Sequence, residues 1–126
     1  MLAGEQGITG TFDACGPPTT LGAVLDEIAA AVGAADLERV PVPPEELAAA
    51  GVLPWQGPRS LPLWLPDGYV GVVDRDTGPA RAAGLRCRPV AETALAALDH
   101  ERALGVDRER QAGLSAAEEA ELLAGR

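Results

Sequence analysis

Residues 10–33 read GTFDACGPPTTLGAVLDEIAAAVG and combine the signals of a strand, a turn and a helix. Gly10 to Cys15 alternate between small or polar and apolar side chains, and Gly-Pro-Pro stops the run. Thr19 or Thr20 is placed to cap a following helix that closes at Gly33. Its apolar positions have the helical spacing i, i+3, i+4, i+7 and i+11: Leu21, Val24, Leu25, Ile28 and Val32. The segment therefore predicts a strand followed directly by an amphipathic helix.

The rest of the chain predicts more short elements, with more helix than strand. Strands are predicted at 37–42, 69–73 and 85–90, a loop at 52–68, and helices at 44–51, 77–84, 91–105 and after the capping-box spacing at Ser115. These elements predict an α/β fold with mixed α+β character, in which several helices surround a small mixed sheet. The length of 126 residues fits one domain over residues 1–126.

Composition excludes several kinds of chemistry. The chain has 10 basic and 19 acidic residues and a formal net charge of −9, so neither nucleic acid nor an anionic membrane is an expected partner. All ten basic residues are arginine, which excludes a catalytic or phosphate-binding lysine. His100 is the single histidine, so no multi-histidine metal site is expected.

Sorting signals and cysteine spacing predict a cytoplasmic protein. The apolar runs are far shorter than the ~20 residues that span a bilayer, and no basic leader precedes an apolar stretch. Cys15 and Cys87 lie far apart, with no C-x-x-C motif. We expect reduced thiols in or near the core.

Several apparent motifs have simpler structural explanations. The glycines at 4, 7 and 10 precede a predicted strand, whereas a dinucleotide-binding loop follows one. Asp74 and Asp76 are explained by a strand end and a helix cap, and His100 by a solvated helix face. No catalytic or metal-binding residue is assigned.

The segment from Trp55 to Tyr69 is the best candidate for a ligand site. Both tryptophans of a chain with 3% aromatic residues, Trp55 and Trp64, lie in this proline-rich loop beside Arg59. Tryptophan faces supply apolar contact area, and an arginine can hold an anionic or carbonyl group. Two alternatives remain: the tryptophans fold back over the sheet as part of the core, or the loop is a proline-rich recognition segment.

The order of motifs along the chain resembles a known family. The motifs are GTFDACGP at 10–17, Trp55, LPLWLP at 61–66, GVVD at 71–74, ARAAGLRCRP at 80–89, and Thr93. Together they resemble the C-terminal, substrate-domain part of actinobacterial reductases of the NAD-dependent epimerase/dehydratase family, the extended short-chain dehydrogenases. The resemblance implies the fold of that half-domain, with a substrate pocket around Trp55, Arg59, Trp64 and Tyr69.

The functional elements of the family's N-terminal half have no counterpart here. The chain contains no glycine-rich NAD(P) loop and, lacking lysine, no Tyr-x-x-x-Lys pair. We therefore expect a substrate-binding half that binds a small organic ligand, with no cofactor in this chain and no redox activity of its own. NAD(P) is expected only together with the N-terminal half.

Two other functions remain open at this stage. One is a cofactor-independent acid/base enzyme, a cyclase or isomerase, using Asp13, Asp74 or His100. The other is a partner subunit that completes a separately encoded cofactor domain. The chain begins only nine residues before Gly10, as if cut. In the family the first strand would extend the cofactor sheet, so its free edge predicts self-association.

Overall fold

The computed structural model describes residues 2–124, so Met1, Gly125 and Arg126 of the predicted 1–126 domain lie outside the described residues. It consists of short helices and one small sheet. In chain order the elements are α1 (Leu2–Glu5), α2 (Leu21–Ala31), α3 (Pro44–Ala49), β1 (Leu53–Pro54), β2 (Ser60–Leu61), α4 (Val70–Val73), α5 (Gly78–Ala82), α6 (Val90–Leu104) and α7 (Ala116–Leu123). The mixed helix-and-sheet class is confirmed.

Three of the predicted helices are confirmed with their caps. The Thr20 side chain accepts a hydrogen bond of 3.2 Å from the N–H of Ala23 at the start of α2. Helix α6 ends at Leu104 with Gly105 as its C-cap, and α7 starts from the predicted capping box of Ser115 and Glu118.

Helices α3 and α5 end in the same hydrogen-bond pattern, and the buried apolar residues lie in these two motifs. After α3, Val52 N donates to Leu47 O at 2.9 Å. After α5, Leu85 N donates to Ala80 O at the same distance. These six-residue closures are Schellman motifs, and each turns at a glycine with positive φ, 69° at Gly51 and 96° at Gly84. Leu47, Val52 and Ala80 are the buried apolar residues of the described chain.

The sheet differs from the prediction in place and type. β1 and β2 pair in parallel, with Leu53 opposite Ser60 and Pro54 opposite Leu61, inside the segment 52–68 predicted as a loop. Separately, an isolated parallel bridge joins Pro58, in the loop between β1 and β2, to Gly113 before α7. The sheet of the described chain is thus small and parallel rather than mixed.

The four predicted strands are wrong. Residues 10–15, 37–42 and 85–89 have no regular secondary structure, and 70–73 form the helical turn α4. A strand needs a neighbouring strand for its ladder of backbone hydrogen bonds, and no strand of the described residues pairs with these positions. Pro41 removes a further donor from the second segment, and Pro43 follows directly after it.

Helices α2 and α6 pack together, and a side chain of α2 caps the start of α6. Pro89 precedes α6 and has no side-chain donor or acceptor, so it cannot cap the helix. Instead, Oε1 of Glu27 on α2 accepts a 3.0 Å hydrogen bond from the N–H of Ala91. A carboxylate at a helix start also interacts favourably with the helix dipole.

The chain exposes more surface than a compact protein of its mass. The accessible area is 9,509 Å², whereas a compact protein of 12.9 kDa exposes about 6,300 Å².

Cys15 is half-buried and Cys87 is exposed, and both thiols are free, so the expectation of a core position is wrong for Cys87. Among residues 2–124 no helix has the length and apolar character that a membrane span requires.

Candidate functional site

The loop between β1 and β2 has an unusual backbone. Trp55 at its start has φ 74° and Arg59 at its end has φ 50°. These are the non-glycine residues with positive φ in the described chain, and this conformation costs an L-residue roughly 1–2 kcal/mol. Strained backbone of this kind persists where surrounding contacts fix it, and it concentrates at functional sites.

The side chain of Arg59 fixes its own end of the loop. Its Nε donates to the carbonyl oxygen of Ala50, the residue that closes α3, at 2.9 Å. Its Nη1 and Nη2 both lie 3.0 Å from Oε2 of Glu121, and Nη1 lies 3.6 Å from Oε1 of Glu118. The guanidinium therefore joins the loop to the end of α3 and to α7.

Glu118 has two structural roles in this arrangement. Its Oε2 accepts a 2.8 Å hydrogen bond from Ser115 N, while Ser115 Oγ accepts one of 3.3 Å from Glu118 N. The backbone and side-chain hydrogen bonds of Ser115, together with the charge of Arg59, lower the pKa of Glu118 from its ordinary value of 4.5. The carboxylate is thus held ionised.

Ser60 fixes the other side of the loop, and the sequence did not indicate this role. Its side chain is fully buried. The Oγ donates to Gly57 O at 2.6 Å and accepts from Gly113 N at 3.1 Å. The hydroxyl both donates to and accepts from the backbone, so Ser60 has a structural role.

The two tryptophans are brought together through one carbonyl group. Leu61 O accepts hydrogen bonds from Trp55 N at 3.2 Å and from Trp64 N at 2.9 Å. Trp55 is 46% exposed and Trp64 is half-buried. Neither ring fills the core, which argues against the interpretation of the loop as a core lid.

The backbone hydrogen bonds of Tyr69 lie outside the β1–β2 loop. Its N–H donates to Pro66 O at 3.2 Å, and its side chain is 57% exposed. Of the four predicted ligand contacts, Trp55 and Trp64 are joined by the backbone, and Arg59 is already paired with acidic side chains. What the arrangement offers chemically is an exposed indole on a braced loop, suited to apolar or stacking contact.

The candidate acid and base residues lie on separate exposed segments. Asp13 precedes α2, Asp74 follows α4, and His100 is on α6. The N-cap of α5 is Thr77, which makes no side-chain capping bond, while Asp76, one residue earlier, accepts a 2.9 Å hydrogen bond at Oδ1 from Gly78 N. Within residues 2–124 no group of three or more His, Cys, Asp or Glu residues is placed to hold a metal ion.

An open depression of about 450 Å³ lies elsewhere, around α5. None of the four predicted ligand contacts lines it. The chain matches no protein-family model, and it has no significant match among curated proteins or solved structures.

Proposed function

We propose that this chain is the substrate-binding half of an NAD(P)-dependent reductase or epimerase, and that it neither binds the cofactor nor transfers hydride alone. The observation that carries the proposal is the braced β1–β2 loop. It holds Trp55 exposed on a left-handed backbone whose N–H is bonded to Leu61 O. Arg59, at the other end of the loop, contacts Ala50, Glu118 and Glu121. A rigid loop that presents an apolar ring is suited to closing over a small organic ligand.

The segment before α2, which has no strand partner, supports the proposal that the chain is one half of a larger unit. Residues 10–15 are the segment that, by the resemblance, would lie at the edge of the cofactor-domain sheet. Here their backbone has no strand partner among the described residues, and Phe12 is 37% exposed. The large accessible area fits a chain whose apolar faces pack against a cofactor domain, on the same or another polypeptide.

Cofactor binding gives the first test. The purified 126-residue chain is titrated with NADPH and NADH, and the fluorescence of the reduced nicotinamide is followed. We expect no saturable change. Saturable binding with micromolar affinity would overturn the proposal, because it would require a nucleotide site within this chain.

The partner gives the second test. An antibody against the chain recovers its product from source cells under native conditions. We expect either a larger polypeptide or a complex with a dinucleotide-binding chain, in both cases carrying NAD(P). A 12.9 kDa product recovered alone would contradict the proposal.

Ligand contact is tested by tryptophan fluorescence. Trp64→Phe leaves Trp55 as the emitter, and Trp55→Phe leaves Trp64 as the matched control. A panel of small aldehydes and ketones is titrated into each variant. We expect a saturable change in the Trp55 emission, and an equal response to every compound in both variants would count as non-specific quenching and against the site.

A further inference from the structure

The positive charges of the chain are not all neutralised. Arginines 39, 59, 102, 108 and 110 form ion pairs with acidic side chains. Arg75 donates to a backbone carbonyl. Arg81, Arg86 and Arg88 make no ion pair or side-chain hydrogen bond with the described residues. The segment 81–88 thus carries three arginines without a carboxylate partner, in a chain whose net charge is −9.

The Schellman turn after α5 places two of these arginines around one depression. Arg81 is in the last turn of α5, and the chain reverses at Gly84, whose φ is 96°. The N–H of Gly84 donates to Arg81 O at 3.0 Å, and Leu85 N closes the motif. Arg86 follows immediately. The open depression of about 450 Å³ is lined by Gly78, Arg81, Ala82, Gly84, Leu85 and Arg86.

We propose that this depression, the Arg81–Arg86 site, binds an oxyanion: a phosphate or carboxylate group of a small ligand. Guanidinium groups present planar pairs of donors that match both kinds of oxyanion. The volume lies in the range of ligand sites, roughly 300–1,000 Å³. The N–H groups of Gly78 and Gly84 are already bonded, to Asp76 Oδ1 and to Arg81 O, so the two guanidinium groups are what the depression offers to an anion. This inference is independent of the proposed reductase relationship.

The acidic groups near the depression limit where an anion binds. Asp76 is the carboxylate beside Gly78, and its Oδ1 is held by the Gly78 N–H. Asp76→Asn removes this negative charge and keeps an oxygen that can accept from Gly78 N, so it is expected to strengthen anion binding. The overall charge of −9 repels anions elsewhere on the chain, so binding is confined to positions where local positive charge outweighs it.

The test is an NMR titration of the full chain with inorganic phosphate, inorganic pyrophosphate and acetate in turn. We expect saturable shifts of the backbone amides of residues 78–86 for at least one of these anions. Phosphate binding without acetate binding assigns phosphate esters as ligands, and acetate binding extends the assignment to carboxylic acids. Shifts without saturation, or shifts spread over all the arginines, would overturn the proposal.

Matched variants locate the charge that matters. The double variant Arg81→Ala/Arg86→Ala is expected to weaken binding at least tenfold. Arg88→Ala removes an equally unpaired arginine that does not line the depression, and is expected to change affinity less than twofold. Asp76→Asn is expected to strengthen binding. Equal weakening by the double variant and by Arg88→Ala would show diffuse attraction instead of a site, and circular dichroism confirms that each variant keeps its helices.

Discussion

Arg59 and Glu121 are joined through two guanidinium nitrogens that both lie 3.0 Å from one carboxylate oxygen, although 62 residues separate them in the chain. This pair fastens the β1–β2 loop to the last helix. Because the same guanidinium also binds the end of α3, one side chain links three parts of the fold. The stability of the candidate ligand loop therefore depends on a residue that looks like a ligand contact in the sequence.

Replacing Arg59 separates its charge from its backbone strain. Arg59→Ala is expected to lower the free energy of unfolding by about 1–3 kcal/mol, because charged hydrogen bonds are lost from a partly buried position. Arg59→Gly loses the same bonds but relieves the positive φ, so it should be about 1 kcal/mol more stable than Arg59→Ala. Urea denaturation measures both. Arg102→Ala, which breaks an exposed pair, is the control, and an equal loss there would argue against the linking role of Arg59.

Ser60→Ala tests the buried hydroxyl. The substitution leaves the N–H of Gly113 and the carbonyl of Gly57 without their side-chain partner, which is expected to cost about 1–3 kcal/mol of unfolding free energy. Thr19→Ala removes an exposed hydroxyl and should change stability by less than about 0.5 kcal/mol. If both variants melt at the temperature of the unmodified chain, the buried hydroxyl does not hold the loop.

The lowered pKa of Glu118 predicts a pH dependence of stability. A carboxyl whose pKa is lower in the folded chain stabilises the fold above its unfolded value of 4.5, and this contribution is lost as the pH falls through the folded pKa. We expect Glu118→Gln to flatten the decline in unfolding free energy below pH 4.5. Glu119→Gln, on the same helix, is the control and should leave the decline unchanged. Denaturant unfolding between pH 7 and pH 3 provides the measurement.

Glu27→Ala tests the cap that α2 provides for α6. Losing this acceptor is expected to reduce stability by about 1 kcal/mol and to speed amide hydrogen exchange at Ala91. The control is Asp26→Ala at the position next to Glu27, which breaks an exposed ion pair with Arg39. This variant should cost less than about 1 kcal/mol of unfolding free energy and leave exchange at Ala91 unchanged. Unchanged exchange in the Glu27 variant would mean that the cap does not persist in solution.

Trp55→Ala distinguishes a ligand contact from a core residue. A buried tryptophan loses roughly 3–5 kcal/mol on truncation, whereas Trp55 is 46% exposed and should lose far less. Trp64→Ala is expected to cost more, since that side chain is half-buried. Thermal denaturation compares the two. A loss above about 3 kcal/mol for Trp55 would place its ring in the core and remove it from the candidate site.

The helices were predictable because their signals are local. Thr20, Ser115 and Glu118 act within one helical turn, and the glycines that end α3 and α5 need only a few neighbouring residues. The strands were not predictable for the opposite reason. Valines at 70, 72 and 73 favour a strand, but a single helical turn forms when no neighbouring strand supplies backbone partners.

The candidate site was predictable in part. The clustering of Trp55 and Trp64 pointed to the loop, and the structure joins their backbones at Leu61. The partners of Arg59 lie in α7, far along the chain, so no local pattern reveals that its charge is already neutralised. Ser60 gave no signal, because burial of a hydroxyl depends on contacts with Gly113 that only the folded chain supplies.

The Schellman closures also differ from the Pro58–Gly113 bridge in the entropy that their formation costs. Each one joins residues only five apart, so α3 and α5 close their ends with little loss of chain entropy. The contact between Pro58 and Gly113 closes a far longer loop and comes at a greater entropic cost. Because Gly113 follows both helices in the chain, we expect a nascent chain to close the ends of α3 and α5 before Pro58 can pair with Gly113.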